Sequence, residues 1–81
     1  MSPKTPRDVS GKQFVKLLTK YGYEVVRQAG SHIRLLYTKN NDVHNVTIPN
    51  HESIRLGTLM SIISDVSDHL KIDKSEIIEK L

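Results

Sequence analysis

The side chains able to do chemistry gather in one short stretch, Gly30-Ser31-His32, which runs directly into Ile33, Arg34, Leu35, Leu36 and Tyr37. Glycine lets the backbone turn at φ > 0, and the turn delivers a hydroxyl and an imidazole to the start of an apolar strand. Along that strand, read as Ile33–Tyr37, alternation sends Ile33, Leu35 and Tyr37 to one face. His32, Arg34 and Thr38 go to the other, with Leu36 the exception. His32 and Arg34 are then neighbours on a face open to solvent. An imidazole exchanges a proton near neutral pH, and a guanidinium beside it attracts phosphate oxygens, so the pair suits a phosphodiester. The bland alternative is a solvated histidine behind an ordinary Gly-Ser turn.

Three further histidines compete for attention. His51 sits in a loop, where it is either a second proton-transfer partner or a brace bonded to backbone. His44 shares its alternation with Val46 and Ile48, which makes it a partly buried strand residue. His69, near the end of a helix, reads as a cation at the negative end of the helix dipole. No helical His-x-x-x-His pair occurs and the chain has no cysteine, so no metal is assigned. The lack of cysteine also removes a disulfide scaffold and a thiol nucleophile, and it fits a reducing cytosol. With no segment of membrane-spanning length, the expected location is cytoplasmic.

The elements that must position these residues follow in order. Ser10 and Gln13 have capping-box spacing, and Phe14, Leu17, Leu18 and Tyr21 recur at helical intervals, predicting a helix over Gly11–Tyr21 stopped by Gly22. Lys12, Lys16 and Lys20 line its solvent side, either as a wet face or as a rail for phosphates. Tyr23–Gln28 reads as a first strand whose apolar residues choose no single face, which leaves the direction of Arg27 open. After Ile33–Tyr37, a polar turn at Asn40-Asn41-Asp42 leads into a third strand, Val43–Ile48, ended by Pro49. Loops this short give an antiparallel meander. Leu59, Ile62, Ile63, Val66 and Leu70 predict a second helix over Gly57–His69, with Ser53 as one possible cap. Gly57 suggests a backbone that something approaches closely. Asp73 and Glu76 form a second capping box before a short last helix. The expectation is a single α+β domain over residues 1–81, with 1–8 flexible: three antiparallel strands, two main helices on one sheet face and a short C-terminal helix. The other face is left polar, and so is a candidate working surface.

Charge divides unevenly along the chain. Residues 1–39 carry eight Lys and Arg against Asp8 and Glu24, whereas residues 40–81 carry four against seven carboxylates. The cations gather around the His32 strand, the footprint of a polyanion binder. Lys12, Lys16, Arg27, Arg34, Ser31 and the backbone at Gly30 are the candidate contacts to a phosphate chain.

Ser10-Gly11-Lys12, Gly22-Tyr23, Val26-Arg27-Gln28 before Gly30-Ser31-His32, then Pro49-x-His51 and Gly57-Thr58-Leu59, together resemble the HicA toxin family over about Val9–Leu81. The resemblance implies a double-stranded-RNA-binding-like fold and a metal-independent, cofactor-free endoribonuclease acting on mRNA, with the family's catalytic histidine at His32. It also implies a cognate HicB-like antitoxin that covers the site, and contact with DNA only indirectly, through that antitoxin. RNA supplies its own nucleophile, the 2′-OH, which an imidazole can help to attack the neighbouring phosphorus. Relatives usually place lysines or arginines after Gly-Thr-Leu, where this chain has Met60, Ser61, Ser64, Asp65 and Asp68, so the basic first half must do the binding. Two other readings use the same residues: an RNA-binding module without catalysis, and an interaction domain that seats a protein partner on the open sheet.

Overall fold

The computed structural model describes residues 6–81; residues 1–5, part of the stretch expected to be flexible, lie outside it. Ser10 is extended, and its Oγ accepts a hydrogen bond from the Gln13 amide at 3.0 Å, satisfying one of the orphan donors of a helix start. Helix α1 follows over Gly11–Lys20, burying Phe14, Leu17 and Leu18 on one side and exposing Lys12, Lys16 and Lys20 on the other. It ends at Tyr21, and Gly22 turns the chain at φ 108°. Tyr23 does not open a strand, as its β propensity suggested; it is a core residue, 1% exposed.

Strands β1 (Glu24–Ala29), β2 (His32–Tyr37) and β3 (His44–Pro49) form an antiparallel sheet in that order, with β2 central. Pro49 is the last residue of β3, tolerated there because β3 is an edge strand whose other side needs no donor. Between β2 and β3 the polar turn is closed by the Asp42 amide donating to the Lys39 carbonyl at 2.9 Å, with Asn40 and Asn41 at positive φ between them. Ile33, Leu35, Val46 and Ile48 are buried while Arg34, Asn45 and Thr47 are exposed, so the sheet is covered on one face only. That cover is α1 and helix α2 (Leu56–Leu70), with helix α3 (Lys74–Glu79) packed on α2 and Phe14, Leu18, Leu59, Ile63 and Ile77 in the shared core.

Three expectations need correction. Ser53 does not cap α2: the helix starts at Leu56 after Arg55, with no side-chain cap, and Ser53 lies too early to reach the amides of its first turn. Gly57 is not a point of close approach within the fold, because a Cβ there would meet nothing within 4 Å. The glycine crowded by backbone is Gly11, whose Cβ would run into the Pro49 carbonyl oxygen and come within 2.9 Å of the Asn50 Cα. Its amide donates to the His51 carbonyl at 2.9 Å, so the start of α1 is clamped to the chain leaving β3. Finally, the reciprocal cap of α3 is not made. The Asp73 carboxylate accepts from the Ser75 amide at 3.1 Å, a bond that holds its pKa below the ordinary aspartate value. Glu76 turns away to accept from the Tyr21 hydroxyl at 3.2 Å, which in turn accepts from Lys80 at 2.9 Å, docking α3 on the end of α1.

Candidate active site

The turn that presents His32 is a two-residue hairpin loop, with Ala29 paired to His32 across it and Gly30 at φ 56° in its first position. A type II′ turn asks for glycine there. The Ser31 carbonyl accepts from the Asn50 amide at 2.7 Å, and His32 pairs with Pro49 on β3. His32 is therefore fixed in backbone from both sides while its imidazole is exposed.

One irregularity decides the chemistry of the face beside it. Between β1 and β2 the register slips, pairing Val25 with Leu35 but Arg27 with Arg34, so Val26 is an extra, bulged residue. Without the bulge Arg27 would stand opposite Ile33 and point toward the helices. With it, Arg27 joins the open face and lies directly across from Arg34, which in turn pairs with Thr47 on β3. Like charges directly opposite in a sheet are unfavourable, so this row suits a ligand that brings negative charge. Arg27, Ala29, His32, Arg34 and Thr47 line a single groove of about 250 Å³ on that face.

The groove brings together His32, Arg27 and Arg34 of the residues singled out from sequence, beside the Gly30-Ser31 turn. It does not include the others. Lys12 and Lys16 belong to α1, on the far side of the sheet, although Lys12 follows the Gly11 clamp and so sits at the same end as His32. The His51 imidazole is exposed in the loop after β3 and does not line the groove; its residue braces α1 through the main-chain carbonyl. Thr47 and Ala29 are additions. Alternation along β3 puts Thr47 on the open face with Asn45, and Ala29 is placed only by the pairing that sets it opposite His32.

His44 and His69 belong to a separate cluster on the helix side. Burial raises the pKa of the Tyr23 hydroxyl, with Asp65, Tyr37 and Asp42 adding to the effect, so the phenol keeps its proton; it is hydrogen-bonded to His44 Nδ1 at 2.6 Å. On the other side of the ring, His44 Nε2 faces Asp65 at 3.2 Å. Its ring stacks on His69 at 4.3 Å between centroids, and the Tyr37 ring meets His69 edge-on at 5.0 Å. His69 Nε2 lies 3.3 Å from Asp42, at ion-pair distance but outside hydrogen-bond geometry. His69 is thus a packing residue between β3 and the end of α2 as much as a dipole partner. Tyr23→Phe should leave His44 Nδ1 without its hydrogen-bond partner and lower stability by about 1–3 kcal/mol in a denaturant titration. Among the described residues no three metal-ligating side chains converge, and no helix is long and apolar enough to cross a membrane.

The protein is thus a small α+β domain with one sheet face covered by helices and, on the other, an exposed histidine beside a cross-strand arginine pair. The chain belongs to the HicA toxin family: a family model described as the HicA toxin of bacterial toxin-antitoxin matches residues 11–67, more than half of the sequence. The match runs from the first residue of α1 into α2 and contains the whole groove. Membership implies a cognate antitoxin as partner. No curated protein and no solved structure matches the chain.

Proposed function

We propose that the protein is an mRNA-cleaving endoribonuclease toxin in which His32 moves the proton of the reaction and the arginine row binds the RNA backbone. The observation that carries this reading is the groove itself, an exposed imidazole held beside two guanidinium groups on an open sheet face. The 2′-oxygen of one nucleotide attacks its own 3′-phosphorus and loses its proton. The bond from phosphorus to the 5′-oxygen of the next nucleotide breaks, and that oxygen gains a proton. The products are a 2′,3′-cyclic phosphate and a free 5′-hydroxyl. His32 carries one of the two proton transfers, a step worth roughly 10²- to 10⁴-fold, and solvent carries the other. Charge building on the phosphoryl oxygens is met by the amides of the Gly30-Ser31 turn beside His32, while Arg27 and Arg34 hold the RNA backbone in the groove.

The antitoxin, HicB-like by family, would act by presenting carboxylates to Arg27 and Arg34 and closing the groove over His32. The cytoplasm, where mRNA and antitoxin meet, is the setting this requires. The test is product chemistry. Purified protein incubated with RNA and a chelator should leave 2′,3′-cyclic phosphate ends, and a single 2′-deoxy substitution at a cleaved nucleotide should make that position inert. Equal cleavage at the deoxy position, or ends bearing a 3′-hydroxyl, would overturn the reading. Intact RNA with salt-sensitive binding would favour a non-catalytic module instead.

A further inference from the structure

The arginine row is displaced along the sheet from the histidine row, and that displacement has meaning for the substrate. Ala29, His32 and Pro49 form one cross-strand row, and Arg27, Arg34 and Thr47 form the next on the same face. Two residues along a strand separate them, about 6.7 Å, a distance of the order of one step of an RNA backbone. We propose that Arg27, Arg34 and Thr47 form a subsite for the phosphate neighbouring the one that is cleaved, so that efficient cleavage requires two consecutive phosphates. The proposal rests on the nuclease reading of His32.

Four observations support a built subsite. Two arginines directly opposed across strands repel one another, and among the described residues no carboxylate lies within ion-pair distance of either. A planar guanidinium fork on each side with a hydroxyl beside it matches the several oxygens of one phosphate. The groove is continuous from His32 to Thr47, so one ligand can occupy both rows. The bulge at Val26 is what places Arg27 on this face, and bulges re-aim side chains where a sheet has work to do.

The experiment compares three pools of dinucleotides: dinucleoside monophosphates, the same with a 5′-terminal phosphate, and the same with a 3′-terminal phosphate. The phosphate at one end, and only that end, should raise kcat/KM by at least about tenfold, as a charge-assisted contact predicts. In Arg27→Ala, Arg34→Ala and Thr47→Val, the ratio between that pool and the plain pool should fall toward one. The wild-type comparison stands even where a variant folds poorly. No gain at either end, an equal gain at both ends from long-range attraction, or a ratio unchanged in both arginine variants would overturn the subsite. His32-dependent cleavage of the plain pool without any gain would sink the subsite and leave the nuclease reading standing. Longer RNA left intact alongside all three pools would sink both.

Discussion

His32→Ala should lower RNA cleavage by roughly 10²- to 10⁴-fold, the range typical of losing a positioned acid–base group, while salt-dependent RNA binding persists. The two effects separate because His32 and the arginines occupy different rows of the same groove. Removing an exposed imidazole creates no cavity, so thermal stability should change by no more than about 0.5 kcal/mol. His32→Gln refines the test. Glutamine keeps hydrogen-bonding capacity but cannot shuttle a proton, so it should be as inactive as alanine if proton transfer is the role. Recovery of activity in the glutamine variant would make His32 a positioning residue, and full activity in both variants would remove it from the chemistry. Single-turnover cleavage, with binding measured in parallel at two salt concentrations, distinguishes these results.

The fold was legible where periodicity is strong and local. Phe14, Leu17 and Leu18 recur on a 3.6-residue period behind a serine cap, and Ile33, Leu35, Val46 and Ile48 alternate on strands joined by short turns, so α1, β2 and β3 follow from the residues themselves. The histidine turn was legible for the same reason: one glycine at positive φ fixes a two-residue hairpin. What escaped was set by contacts far apart in sequence. Gly11 is required by the chain at Pro49 and Asn50, which no local pattern announces. Gly57, by contrast, suggests a close approach, yet a Cβ there would meet nothing of the fold within 4 Å. The direction of Arg27 was undecided because Val25 and Val26 broke the alternation. That break was the signal of a bulge, and the bulge is what completes the arginine row. The pairing of Tyr23 with His44 joins residues on opposite sides of the β1–β2 hairpin and becomes visible only once the strands are in register.

Phe14→Ala should have the largest effect on stability, lowering it by about 3–5 kcal/mol. Phe14 is fully buried, on the helix that contacts both edge strands, and the sheet is covered on one face only. The described residues form one core cluster, with no second apolar layer among them to make up the loss. A domain of this length has on the order of 4–12 kcal/mol in total, and each kcal/mol is worth roughly 4–8 °C, so the melting midpoint should fall by tens of degrees. Phe14→Leu, which keeps most of the volume, should cost less than about 1.5 kcal/mol. The contrast with His32→Ala is what makes the measurement informative about function. Phe14 reaches the groove only through α1, whose first residue is clamped against the Pro49 and His51 segment beside His32. Cleavage by Phe14→Ala should therefore return as the temperature drops below its midpoint, in proportion to the folded fraction, whereas cleavage by His32→Ala should stay low at every temperature. A Phe14→Ala protein that stays folded by circular dichroism yet never regains activity would show that the layer under the sheet does more than hold the groove in shape.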